Sequence, residues 1–89
     1  MDVTANKVVG RRIRKLREAA GLSQAELGRR VGRSQSEIAK IEMGERRLPY
    51  VESFLFAEAL DAGWDVLAQE VVAGLREAGL DPCDPRSFT

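Results

Sequence analysis

The chain has 89 residues, 44% of them hydrophobic and 31% charged, a balance that supports a folded core but only one of them, since chains rarely divide below roughly 200 residues. No histidine and a single cysteine, Cys83, exclude an internal disulfide, nearly every zinc site and any nucleophile activated by an imidazole. The formal charge is zero, yet residues 1–50 carry twelve basic side chains against six acidic ones and residues 51–89 carry two against eight, which points to a polyanionic partner for the first half alone.

No stretch approaches the roughly 20 apolar residues that cross a bilayer, and Met1 to Gly10 lacks the apolar run of a secretory signal. The expectation is a cytoplasmic protein with no membrane contact, no metal and no cofactor.

In chain order, Val9, Ile13, Leu16 and Ala20 fall on one face of a first helix from Asn6 to Ala20, with Arg11, Arg14, Lys15 and Glu18 outward and Gly21 as its stop. Ser23-Gln-Ala-Glu26 is a capping box opening a second helix that lasts to Val31, where Gly32 ends it. The same signal returns in Ser34-Gln-Ser-Glu37, and that third helix is closed by Gly44. Two short helices joined by the turn Gly32-Arg33-Ser34 form a far rarer pattern than one capping box. Leu27, Val31, Ile38 and Ile41 let the two share a core, and Gly28 sits where they approach, at a helix cost of about 0.5 to 1 kcal/mol. With Ile38 and Ile41 inward, Ser36, Lys40 and Met43 face outward, and Gln35 stands at the exposed N-terminus. Glu42 falls near the inward side, where a carboxylate needs a partner, and Arg17 is the candidate.

The segment from Gln24 to Gly44 resembles the helix-turn-helix of the lambdoid phage repressor and Cro proteins and the xenobiotic-response-element-type regulators. The stretch from Arg12 to Ser23 is similar to the first helix of that family, and the likeness covers roughly residues 8 to 67. It implies an all-α, compact five-helix, lambda-repressor-like DNA-binding domain with the motif at helices 2 and 3. The function it implies is a sequence-specific, double-stranded-DNA-binding transcriptional regulator. By this resemblance Gln35, Ser36 and Lys40 are the base readers, with the hydrogen-bonding repertoire that base edges demand. Gln24, Arg33, Arg46 and Arg47, with Arg17, are the expected phosphate contacts. Arg17 and Glu42 form a partly buried structural pair. The family usually has alanine at the place of Gly28, so a methyl is expected to fit there and anything larger to clash.

A fourth helix is expected from Tyr50 to Leu60, with Phe56, Ala57 and Leu60 completing the core, and a fifth from Trp64 to Ala78. Val51, Leu55 and Ala59 make a second apolar stripe. Either the fifth helix folds back over it, or the two helices bind another protein through Val51, Leu55, Trp64, Val71 and Leu75. Ser53 and Leu55 depart from the family pattern, so a relative's mode of dimerisation does not transfer. The domain is placed at residues 1–79, and residues 80–89, with two prolines and no periodicity, read as a flexible tail in which Cys83 is incidental and Leu80 and Phe88 are possible anchors.

The leading reading is a repressor acting as a homodimer on a palindromic operator. The alternative is an interaction module, such as an antitoxin that holds a toxin through helices 4 and 5 and represses its own operon. An enzyme is the weakest choice, because Ser23 and Ser34 are explained as helix caps.

Overall fold

A computed structural model describes residues 3–81. They form five helices in the order α1 (Val3–Ala19), α2 (Gln24–Val31), α3 (Gln35–Glu42), α4 (Tyr50–Ala59) and α5 (Trp64–Glu77). The expected boundaries hold within a residue or two except at the start, where α1 begins earlier than Asn6. Of the expected tail, Cys83 and Phe88 lie outside the described residues.

Both capping boxes are complete. Ser23 Oγ accepts from the Glu26 amide at 3.1 Å while Glu26 Oε1 accepts from the Ser23 amide at 3.3 Å. Ser34 Oγ likewise accepts from the Glu37 amide at 3.1 Å, and Glu37 Oε1 accepts from the Ser34 amide at 3.2 Å. Gly32 ends α2 in the left-handed region at φ 72°, which a side chain would resist, so α3 can start two residues later.

The main core is built around five fully buried side chains, Ile13, Leu27, Ile38, Ile41 and Phe56, closed by Leu22, Ala57, Leu60 and Leu67. Each large side chain so buried contributes roughly 1.5 to 3 kcal/mol. Val9 and Leu16 of α1 pack against this cluster. Ala20, expected on the same stripe, is exposed in the turn beyond α1.

The earlier start of α1 adds Ala5 to a packing site beside Val8. Ala5 and Val8 form a second, smaller cluster with Leu75, flanked by Val71 and Leu80. Thus α5 folds back mainly on α1 and leaves much of the α4 stripe open: Val51 is 75% exposed and Leu55 53%, while Ala59 is buried. Leu75, expected at a partner interface, is an internal residue. Leu80, expected in the tail, packs beside it.

Two glycines let the layers close. A Cβ on Gly10 would stand 2.4 Å from the carbonyl oxygens of both Ile41 and Glu42, where α1 crosses the end of α3. One on Gly74 would stand 2.7 Å from Arg12 Nε and 2.8 Å from Val8 Cγ1, at the crossing of α1 and α5. The turn before α5 places a non-glycine residue, Asp61, at φ 55°, a conformation that aspartate tolerates better than most side chains. None of the described helices is long and apolar enough to cross a membrane.

Candidate nucleic-acid interface

The third helix is eight residues long and uses its two faces differently. Ile38, Ile41 and Glu42 are buried against the body, while Gln35, Ser36 and Lys40 are exposed and Met43, just past the helix end, is 60% exposed. The two capping boxes and the Gly32 stop fix where this surface begins.

Beneath it lies a buried ion pair. Arg17 Nε donates to Glu42 Oε2 at 2.6 Å and Nη2 donates to Oε1 at 3.1 Å, with both residues less than a tenth exposed. Arg17 Nη1 donates to the Leu22 carbonyl at 2.8 Å. The hydrogen bonds to Glu42 hold the guanidinium above its ordinary pKa despite burial. Each nitrogen of Arg17 makes a bond inside the domain, which leaves one N–H on Nη1 and one on Nη2 for any further acceptor.

A polar chain runs from this pair to the surface. Gln24 Nε2 donates to Glu42 Oε1 at 3.0 Å, and Gln24 Oε1 accepts from Gln35 Nε2 at 3.3 Å. The first residues of α2 and α3 are thus joined, and both are tied to the buried Glu42 carboxylate.

The remaining expected contacts divide by whether their charge is already matched. Lys40 and Arg47 are exposed and pair with no carboxylate among the described residues. Arg46 donates to Glu37 Oε2 at 2.6 Å. Arg33 is bound on two sides, by Nη1 to Glu37 Oε2 at 2.9 Å and by Nε to Glu52 Oε1 at 2.7 Å, with Nη2 also on Glu52. Glu37, which receives the Ser34 amide as well as both guanidinium groups, is pulled down to about 2, first by the Ser34 backbone and then by Arg33.

Chemically, an exposed amide, hydroxyl and ammonium in a row on one short helix can satisfy the donor and acceptor pattern of base edges. Arg47, exposed and unmatched among the described residues in the loop after α3, where it also lines a groove between α1, α4 and α5, is a cation of the kind that suits phosphate oxygens.

The model of the helix-turn-helix domain family matches residues 8–73, well over half of the chain. The chain belongs to the helix-turn-helix domain family. Among solved structures it is similar to the restriction-modification controller protein C.AhdI from Aeromonas hydrophila, at 36% identity over 68% of this chain and 92% of that one, with a TM-score of 0.64. It also resembles two structures of the clp gene regulator ClgR from Corynebacterium glutamicum. One gives 18% identity and a TM-score of 0.74 over 80% of this chain and 92% of that one. The other gives 17% identity and 0.77 over 84% and 80%, a likeness of fold alone at this identity. No curated protein sequence matches. The protein is accordingly a DNA-binding transcriptional regulator of the xenobiotic-response-element-like, helix-turn-helix kind.

Within that helix-turn-helix, reading the sequence missed Glu52 altogether and saw Glu37 only as a cap. The capping box identified one oxygen of Glu37, but nothing in the sequence says that the second oxygen receives Arg33 and Arg46. Pairing between Arg33 and Glu52 spans nineteen positions and depends on how α4 crosses the motif. The methyl expected to fit at Gly28 does not: a Cβ there would stand 2.4 Å from the Arg33 carbonyl oxygen, because the turn, rather than the facing helix, is the close neighbour.

Away from the motif, Tyr50, Phe54 and Trp64 form an exposed aromatic group. Phe54 and Trp64 stack with ring centroids 5.3 Å apart, and Tyr50 meets both edge-on at 5.3 and 6.4 Å. Beside it opens a groove of about 710 Å³ between α1, α4 and α5, floored by Leu67 and Val71.

Proposed function

We propose that the protein is a sequence-specific repressor that places α3 in the major groove of duplex DNA as a homodimer on a palindromic operator. Gln35, Ser36 and Lys40 read base edges in this account, and Gln24 and Arg47 contact phosphates, with Arg46 contributing through whatever its bond to Glu37 leaves free. The observation that carries the reading is the unmatched polar outer face of α3, with Gln35 tied through Gln24 to a buried carboxylate. Ordering costs of an amide already held in place are lower when it meets a base.

Dimerisation is supported by the exposed apolar surface of α4 and the start of α5. Tyr50, Val51, Phe54, Leu55 and Trp64 are all at least 41% exposed, and large exposed apolar side chains gathered on one helix and the start of the next suit a protein contact. A homodimer on a palindromic operator would set its two third helices one DNA turn, about 34 Å, apart. The same surface supports the alternative, a module that also holds a toxin or nuclease encoded beside it. The similarity to a protein titled a restriction-modification controller gives that alternative its context. Repression and residence in the cytoplasm follow from this reading.

Selection of bound sequences from a random duplex pool tests it. The expected product is one enriched palindrome with half-sites about 10 base pairs apart, bound by two copies in sedimentation. A pool that enriches no sequence would end the proposal, and an asymmetric site bound by one copy would end its homodimer.

A further inference from the structure

We propose that Arg33 is a positioning residue for base reading, a strut that ties the turn before α3 to α4 and so sets where Gln35 and Ser36 stand, and that it is not a phosphate ligand. The inference rests on the duplex-binding reading above and deepens it.

Three features of the turn lead here. First, all three guanidinium nitrogens are engaged, two on Glu52 of α4 and one on Glu37 in the first turn of α3. The side chains are only 25%, 19% and 33% exposed for Arg33, Glu52 and Glu37. Swinging Arg33 outward to a phosphate would leave the Glu52 carboxylate, the most enclosed of the three, without its partner.

Second, the backbone of Arg33 is held from behind. Its amide donates to the Gly28 carbonyl at 2.8 Å, and its own carbonyl oxygen lies so close to Gly28 that even a methyl would meet it at 2.4 Å. The turn is thus held against α2 by its backbone, and the Arg33 side chain holds it to α4.

Third, Glu37 has two jobs on two oxygens. Oε1 closes the capping box with Ser34, while Oε2 receives Arg33 and Arg46. The start of α3, the turn before it and the loop after it therefore meet at one carboxylate, and Arg33 carries the link on to Glu52 of α4. Glu52 is next to Val51, in the part of α4 proposed to face a second copy, so the strut refers the reading end of each α3 to the dimer surface.

A fork that grips two carboxylates is specific to arginine. Lysine offers one point charge and cannot reproduce it, although it serves well against a phosphate. This difference separates the two roles.

The test uses the full chain and two duplexes, the selected operator and a scrambled one, titrated between about 50 and 200 mM salt. Arg33→Ala and Arg33→Lys should both shrink the operator-to-scrambled affinity ratio about tenfold while leaving the salt slope at its wild-type value. Arg47→Ala should instead lower the slope by about 0.9 and keep the ratio. Glu52→Gln serves if the Arg33 variants fold poorly, because it removes the charge that holds two of the three Arg33 nitrogens: the strut predicts a reduced ratio, whereas a phosphate role predicts equal or tighter binding. A slope reduced by about 0.9 in Arg33→Ala, with Arg33→Lys close to wild type, would overturn the inference and leave duplex binding intact. A wild-type chain that treats both duplexes alike would remove the duplex reading, and the strut's role in base reading with it.

Discussion

Arg17 and Glu42 close the seam between α1 and α3 with Nε and Oε2 2.6 Å apart, and the other carboxylate oxygen is shared between Arg17 and Gln24. The pair therefore does two things. It fixes two helices against each other, and it anchors the amide that supports Gln35.

Removing one partner should expose the first role. Arg17→Met leaves the Glu42 charge buried and unmatched, and should cost about 3 to 5 kcal/mol in urea unfolding. Replacing both, as Arg17→Met with Glu42→Leu, should recover most of that stability because no charge remains to be desolvated. The double variant should still discriminate poorly between duplexes, since Gln24 has lost its anchor. A single variant as stable as wild type would show that the pair is not buried as described.

The close crossing of α1 and α3 gives a second expectation. Gly10→Ala gains about 1 kcal/mol of helix propensity. The new methyl must nevertheless push on two carbonyl oxygens at 2.4 Å, neither of them a movable side-chain end. Overpacking of this kind costs about 1 to 3 kcal/mol, so the variant should be net destabilised in a thermal melt. A raised midpoint would mean that the helices separate for less than the roughly 1 kcal/mol of propensity gained.

These two cases mark what could be read in advance. The helices of the motif were legible because their signals are local: serine caps with glutamate three residues on, glycine stops, and apolar residues at helical spacing. For Arg17 and Glu42 the wheel puts the carboxylate inward and offers Arg17 as its candidate partner, and the resemblance supplies the partly buried pair. Gly10 gave no signal, since one glycine in a helix looks the same whether it meets water or another backbone. The division of α1 between two clusters was hidden for a similar reason. Ala5 and Val8 fall off its main stripe, and their partner, Leu75, lies some seventy positions away. Arg33 reads as free charge in the sequence, because its bonds to Glu52 exist only once another helix is placed beside the turn.

Acid should weaken the domain through Glu37. Its carboxyl titrates at about 2 in the folded chain against an ordinary 4.5, held down by the Ser34 amide and then by Arg33. A depressed folded value gives stability that is complete above pH 4.5 and is lost as the pH falls toward 2. Glu26, through the Ser23 hydroxyl, and Glu70, through the Lys15 ammonium, are shifted in the same direction. Carboxyl resonances followed by NMR should place Glu37 near 2, and Arg33→Ala should raise it. A wild-type titration at 4.5 would mean the contacts to Glu37 do not persist in solution.

The aromatic group offers a probe of assembly. Trp64 is the one tryptophan of the chain and is 41% exposed, so its fluorescence should shift to the blue as copies associate through α4. Val51→Glu with Leu55→Glu should keep the fold, as neither residue is in the core, and should hold the protein monomeric in sedimentation. Full dimerisation of that variant would place the interface elsewhere.

The outward face of α3 is most directly examined by base preference at a single operator position. Affinities of the wild type and Gln35→Ala would be measured for the four duplexes that differ only at the base pair under Gln35. The wild type should favour one pair by about 1 to 3 kcal/mol, and Gln35→Ala should bind all four nearly alike with an unchanged salt slope. A Gln35→Ala protein that keeps the wild-type preference would contradict the assignment of this face to the DNA.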